Sequence, residues 1–506
     1  MPRSPLTFST VLLLALATAL VAGAPARAAD PANPAPGSPA YLARDAQNII
    51  DAYGRIHAPG GQLQNPAYLP ALVEQATSRT VRQLLAQVAT PNRLSLTAGN
   101  IVPGWNVGNP LRAGWSGTRG RAREVSFTNR HGALLRGTVW APLPRARDPY
   151  SGARLRPPYP GVVITTGSVQ GSQGMYEWLA QDLAERGYVV LTYDVQGQGT
   201  SETLPHETGE AFPFCNPFAE PRDLETTGCP GVPFQQLSNF VVGTEDALDF
   251  FVSTPAAPYA NPGAAGTPVS THNPFHRLFD RSPDPRPATP GRTTRIAIVG
   301  HSMGAAAVSK VQGTDRRVAA VVALDKLTGP SSEPPLDGAG NRPTVPALAV
   351  QAEYGFTVGP WLLSGGSSIV PAASPDGPDP ARERATGFDA WQDAGVDAML
   401  VVPRASTHLE FTDIPLVLPA SRYGQAITSV YVQRWLDRYL KHRDGAAATA
   451  RLLGERLRYL EPAGGGRWQP VRLDRDEQLS FYYCSAYAVR DGESALADGD
   501  ITDAGC

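Results

Sequence analysis

The apolar positions of the chain change period several times along its length. Leu69, Leu72, Val73 and Ala76, then Leu84, Leu85 and Val88, recur at helical spacing over 68–88, and a second amphipathic pattern covers 40–53. Both predict helices. Residues 123–129 alternate in polarity, Arg130-His131-Gly132 supplies a turn, and 133–141 returns, so a β-hairpin is expected. From there the pattern becomes continuous apolar runs bounded by glycine, proline or charge: 161–166, 188–193, 296–299, 317–325, 346–353 and 398–402. Runs with no polar face read as strands covered on both sides. Helical stretches at 176–186, 240–252, 381–394 and 423–441 are interleaved with them. Such alternation predicts an α/β fold with a doubly wound, mostly parallel sheet.

Between these elements lie segments without clear period. Residues 29–37 form a Pro/Ala-rich linker, and insertions are expected at 203–236, 255–291 and 359–380. The Pro-rich 255–291 run has too few apolar residues for a core and reads as a long exposed loop. The organisation expected is therefore a leader over 1–28, a helical extension over 29–120, a central α/β domain over 121–445 and a C-terminal extension over 446–506. The extension carries some strand character at 479–483. Phe212, Phe214, Phe218 and Phe234, with Trp361-Leu362-Leu363, could line an acyl pocket or a lid; core packing under long loops explains them equally well.

Composition narrows the function classes. A formal net charge of −2 over 506 residues offers no electrostatic case for nucleic acid or an anionic membrane as partner. Arg3, the apolar stretch 11–21 and Ala26-Arg27-Ala28 have the order of an export signal with its cleavage site, which implies a secreted protein. No later run approaches the length of a transmembrane helix. In an exported chain Cys215, Cys229, Cys484 and Cys506 would form disulfides. Three pairings are possible, and loop length favours Cys215–Cys229 with Cys484–Cys506. None has C-x-x-C spacing, no H-E-x-x-H is present, and Gly197 and Gly199 lack the third glycine of a dinucleotide loop. No metal or cofactor is expected.

The stretch that carries chemistry is Ile296-Ala297-Ile298-Val299-Gly300-His301-Ser302-Met303-Gly304-Ala305. A buried strand stops at G-x-S-x-G and restarts as a small-residue helix. The tight turn lifts the Ser302 hydroxyl over the strand end, and the glycines remove side chains from space that the backbones share. A serine hydroxyl needs a base and an orienting acid to act as a nucleophile. Among His57, His131, His206, His272, His276, His301, His408 and His442, only His408 follows a late buried strand and precedes the helical end of the domain. His301, inside the elbow, reads as a packing residue. Two carboxylates terminate apolar strands. Asp325 ends the strand after the elbow helix, and Glu353 ends the next. Asp325 is the favoured partner of His408, with Glu353 the alternative. A salt bridge to Lys326 is the other use Asp325 could have. An oxyanion would be held by the N–H of Met303 and that of Ser168, in the loop after the 161–166 strand.

These residues resemble the α/β-hydrolase superfamily of serine esterases and lipases over roughly 121–445. The likeness rests on the elbow 300–304, the order Ser302, Asp325, His408, and the turn Gly197-Gln198-Gly199-Thr200-Ser201. The early acid, together with Ala352-Glu353-Tyr354, is similar to the platelet-activating-factor acetylhydrolase branch. Thr166-Gly167 departs from the His-Gly that often stands there. The resemblance implies the fold and serine-ester chemistry through an acyl-enzyme. The family's substrates do not carry over, and a small-molecule or lipid-like carboxylic ester is the partner expected. Amide or peptide cleavage by the same triad, and a non-catalytic binding protein on this scaffold, are the alternatives. Oligomeric state is not legible in the sequence.

Overall fold

The apolar runs become the inner strands of a ten-stranded sheet in a computed structural model of the chain, which describes residues 34–54, 62–89, 107–168, 171–203, 237–283, 295–330, 341–356, 358–365, 373–413, 422–442 and 446–506. The region read as an export signal, Cys215, Cys229 and the phenylalanines of 212–234 lie outside the described residues.

Two helices come first, α1 (Pro39–Gly54) and α2 (Tyr68–Ala89). The hairpin β1 (Gly120–Thr128) and β2 (Leu134–Pro142) pairs antiparallel from Gly120↔Pro142 to Thr128↔Leu134. Then β3 (Gly161–Thr165), α3 (Glu177–Glu185), β4 (Val189–Tyr193), α4 (Leu237–Val252), β5 (Ile296–His301), α5 (Met303–Thr314), β6 (Val318–Leu324) and β7 (Ala347–Val350) alternate as expected. The chain continues through α6 (Trp361–Ser364), α7 (Asp389–Asp393), β8 (Ala398–Val401), α8 (Arg422–Tyr439), α9 (Ala446–Leu453) and four closing strands. These are β9 (Arg456–Gly464), β10 (Arg467–Asp474), β11 (Ala486–Asp491) and β12 (Ser494–Asp498).

The sheet order is β1-β2-β4-β3-β5-β6-β7-β8-β11-β12, with β4 through β8 parallel and antiparallel strands at both edges. The result is a mixed α/β architecture around a large, mostly parallel sheet. Strand alternation divides the core. Val163, Leu191 and Ile298 join the cluster of α4 and α5 on one face, while Val162, Val190 and Val299 meet α3 and α8 on the other. The order of the parallel strands reverses between β3 and β5, the point of such a sheet beyond whose carboxyl ends ligand sites form.

Three segments differ from the sequence reading. Residues 255–283 are anchored rather than loose. Phe275 and Phe279 are buried, Asn273 is fully enclosed, and Asn261 Oδ1 accepts the Thr128 N–H at 3.0 Å. Two phenylalanines and two asparagines suffice, because each amide satisfies backbone groups that water cannot reach. The helix expected at 381–394 is split into a π-turn over Arg384–Phe388 and the short α7. The wide turn brings the Thr386 carbonyl to the Gly329 N–H at 2.7 Å. Finally, the C-terminal residues do not hang as a tail. β11 pairs with β8 and β12 extends the sheet, so the apolar edge Ala398–Val401 is covered. A Cys484–Cys506 disulfide, with 6.3 Å between Cα atoms, closes that segment.

The terminal helices attach by different chemistry. On α1, Asn48 and Asp45 are buried and polar: Asn48 Nδ2 donates to Glu353 at 2.6 Å, and Asp45 accepts from the Tyr482 hydroxyl and the Trp361 N–H. On α2, among the described side chains, only Tyr68 and Leu72 are buried hydrophobics. Leu69, Val73, Leu84, Leu85 and Val88 of its apolar face are exposed. Trp361 is buried against Tyr354 and Tyr482, and Leu363 is exposed.

Replacing Asn261 by alanine strands the buried Thr128 N–H and places alanine at a φ of +49°. A loss of about 1–3 kcal/mol is expected in urea unfolding with unchanged m-value. Wild-type stability would show that the 255–283 segment does not hold the hairpin.

Candidate active site

β5 ends where Ser302 adopts φ +56° and ψ −122°, a backbone conformation that few L-residues occupy. Crowding on both sides imposes it. A methyl group on Gly300 would overlap the Gly304 carbonyl, and one on Gly304 would lie 2.5 Å from the Thr166 oxygen. The Ser302 backbone is committed: its N–H donates to Leu324 at 2.9 Å, and its carbonyl accepts from Ala305 and Ala306. Its side chain does not cap α5, so the hydroxyl is not consumed by the helix it precedes.

Asp325 ends the neighbouring strand β6, also at positive φ (+45°). Its Oδ2 lies 2.6 Å from Nδ1 of His408, and its Oδ1 accepts the Ala352 N–H at 3.2 Å. Burial pushes this carboxyl up. The hydrogen bond and charge of His408, with smaller help from Lys326 and Ala352, outweigh that and leave it below the usual carboxylate range. A carboxylate held ionised against Nδ1 keeps that nitrogen protonated and leaves Nε2 as the basic one. Lys326 is not the partner: it pairs with the buried Glu383 at 3.2 Å. His408 opens a 3₁₀ turn, His408–Phe411, and its N–H donates to the Gly355 carbonyl at 2.9 Å. Its ring lies between Phe356 and His301, at centroid distances of 4.8 and 4.6 Å.

Glu353 faces elsewhere. It is fully buried and accepts from Asn48 Nδ2 (2.6 Å), the Ser480 hydroxyl (2.6 Å) and the Ala405 N–H (2.5 Å). Burial raises its pKa against those three donors. Ala405 is another residue at positive φ (+55°), in the turn that leads to His408. The structure thus brings Asp325 to the imidazole and gives Glu353 the turn that delivers it.

The loop after β3 runs against the elbow. A Cβ on Gly167 would stand 3.1 Å from Ser302 Cβ and 2.9 Å from His301 Nδ1. Among the described residues, no hydrogen bond engages the N–H of Ser168 or of Met303. The Gly167 N–H is used: it donates to the Tyr176 hydroxyl at 3.0 Å. That hydroxyl lies 2.7 Å from His301 Nδ1, and His301 Nε2 lies 2.9 Å from the His408 carbonyl.

Donor counting fixes the direction of this chain. A carbonyl can only accept, so His301 Nε2 carries the proton and Nδ1 accepts from Tyr176. Gly167, Tyr176, His301 and His408 are then linked in one sense, joining the three loops around Ser302. Burial first, and the His408 charge second, push the His301 pKa down to about 3, which keeps the ring neutral. Sequence reasoning assigned His301 to packing and gave Tyr176 no role. A tyrosine at the start of an apolar helix carries no local signal of a long-range bond.

Among the described residues no group of three or more His, Cys, Asp or Glu side chains is gathered as a metal site requires, and no helix is long and apolar enough to cross a membrane. No family model and no curated protein matches the chain. Among solved structures it is similar to a ferulic acid esterase from Streptomyces cinnamoneus. The identity is 18%, the match covers 67% of this chain and 95% of that one, and the TM-score is 0.37. A likeness that distant bears on neither activity nor substrate.

The neutral His301 makes stability pH-dependent. Its folded pKa lies below the unfolded value, so the unfolded chain binds the extra proton, and stability is lost as pH falls from about 6.5 toward about 3. His301→Gln removes this term. Its melting temperature should fall less steeply than that of the parent between those pH values, and parallel profiles would show that His301 titrates normally.

Proposed function

We propose that the protein is a serine hydrolase of the α/β-hydrolase type that cleaves carboxylic esters through an acyl-enzyme. The observation that carries this is the 2.6 Å contact between His408 Nδ1 and Asp325 Oδ2, made at the end of the strand beside the strained Ser302. Ser302 Oγ attacks the ester carbonyl while His408 Nε2 takes its proton. The same nitrogen returns the proton to the departing alcohol. Water then repeats the sequence on the acyl-enzyme and releases the acid. Asp325 holds the tautomer and stabilises the imidazolium. The N–H groups of Met303 and Ser168 receive the oxyanion, where each donor contributes about 3 kcal/mol to the transition state. The Tyr176–His301 link orients the His408 loop and takes no part in proton transfer.

The central domain over 121–445 carries the chemistry in this reading. The extensions on either side contribute Asn48 and Ser480 to the Glu353 node beneath the His408 turn. Export through the N-terminal signal is part of the proposal, and the Cys484–Cys506 disulfide is compatible with an extracellular location.

A fluorophosphonate should label Ser302 and fail to label the Ser302→Ala variant. On p-nitrophenyl esters, Asp325→Asn should lower kcat by about 10³–10⁴-fold. Glu353→Gln should leave kcat within about tenfold and cost about 1–3 kcal/mol of stability. The reverse ranking would reassign the acid, and preferred cleavage of peptide anilides would replace the ester reading with an amidase.

A further inference from the structure

At the amino ends of the parallel strands, remote from Ser302, the connection from β2 to β3 folds into a small hairpin. Arg147 bridges Arg154 antiparallel, flanked by Leu155 N–H to Ala146 (2.9 Å) and Asp148 N–H to Ala153 (2.8 Å). Those flanking bonds make Arg147 and Arg154 a non-hydrogen-bonded pair, the kind whose side chains start closest together. Exposure alternates along both arms. Arg145, Arg147, Arg154 and Arg156 are exposed, while Ala146 and Leu155 are half-buried. Each arm therefore reads Arg-x-Arg with both arginines turned to solvent. Like charges opposite one another in a ribbon are destabilising.

Among the described residues none of these arginines has a carboxylate partner. Asp280, which lines the adjoining cleft with Arg154 and Arg156, pairs with Arg295 instead. Asp148, the acid within the hairpin, is buried and occupied by Arg186 and by the Tyr150 and Ser151 N–H groups. A cleft of about 490 Å³ opens beside the hairpin, lined by Arg121, Arg145, Arg154 and Arg156, and among the described residues no acidic side chain lines it. Arg121 spends its Nε on the Pro142 carbonyl and lies over the Phe275 ring, which leaves its charge unneutralised. The cleft also presents apolar surface, from Leu155, Leu278 and the buried Tyr159.

We propose that this cleft binds an acidic polysaccharide, with ring carboxylates or sulfates on the arginine forks and sugar faces on the leucine and tyrosine floor. Planar guanidinium groups suit such oxyanions, and each exposed pair contributes little alone, so a repeating ligand gains from several at once. A recessed apolar floor suits a sugar ring better than a flat bilayer. The site lies at the opposite end of the parallel strands from Ser302, at least the length of a strand of β5's size, about 15–20 Å, so occupancy leaves the elbow open. The inference is independent of the ester-hydrolase reading.

The full chain is titrated with oligogalacturonate, sulfated dextran, uncharged dextran, inorganic phosphate and anionic phospholipid vesicles. Binding to one or both acidic glycans is expected, the two arms separating carboxylate from sulfate. It should weaken steeply between about 0.05 M and about 0.5 M salt. Uncharged dextran should not bind. The double variant Arg154→Gln/Arg156→Gln should lose about tenfold or more in affinity. It should melt no lower than the parent and hydrolyse a soluble p-nitrophenyl ester within about twofold of it. Should it fail to fold, Arg121→Gln, outside the hairpin, should still weaken binding about threefold. The proposal is overturned if neither acidic glycan binds, if the variants bind like the parent, or if phosphate or vesicles bind where the glycans do not.

Discussion

Three backbones meet at Ser302 with no room for a side chain between them. Gly300 abuts Gly304, Gly304 abuts the end of β3, and Gly167 closes over Ser302 and His301. This closeness ties the end of β5, the start of α5 and the loop after β3 to one another at van der Waals distance. The positive φ at Ser302 follows from it, as does the reach of His301 to Tyr176. Such strain persists only where the surroundings over-determine it. Here they do, through the Leu324 and Ala305 hydrogen bonds and the filled layers above and below the sheet.

The charges near Ser302 divide by their partners. Asp325 and Glu353 both terminate buried parallel strands, and both are enclosed. Asp325 meets an imidazole and is held ionised. Glu353 meets a hydroxyl, an amide and a backbone N–H, and burial prevails. Two carboxylates in like positions are thus shifted in opposite directions, because the hydrogen bond and charge of His408 outweigh burial at Asp325, whereas burial outweighs the Ser480, Asn48 and Ala405 donors at Glu353. The first can orient a proton carrier, and the second can anchor a strained turn. His301, neutral and fully bonded, completes the set by linking loops without carrying charge.

Much of this was legible beforehand, for identifiable reasons. Val162, Val190, Ile298 and Val322 lie in uninterrupted apolar runs, and such runs fit few structures besides a covered parallel strand. The elbow was legible because its glycines are dictated locally. The contact of Asp325 with His408 was reached by counting which polar groups end strands. What escaped depends on partners distant in sequence. Nothing near Asn48 signals a buried carboxylate 305 residues away, and nothing near Tyr176 signals an imidazole 125 residues away. The apolar face of α2 predicted burial that only Tyr68 and Leu72 achieve. The Pro-rich 255–283 segment was underestimated because asparagine amides, with only two buried phenylalanines, fasten it.

The node beneath the His408 turn has a consequence for how the chain matures. Asp45 and Tyr482, bonded to each other beside Glu353, are separated by 437 residues. Contacts of such span must meet the entropy of closing a very long loop, which places them late in assembly. A chain emerging amino end first can fasten α1 to Glu353 and Trp361 before its final strands appear, but the Tyr482 and Ser480 bonds of the node wait for them. The brace under the turn carrying the imidazole is therefore completed only when synthesis is nearly finished, and a shortened chain lacking its last few dozen residues would carry every reactive side chain with the Glu353 carboxyl short of its Ser480 donor.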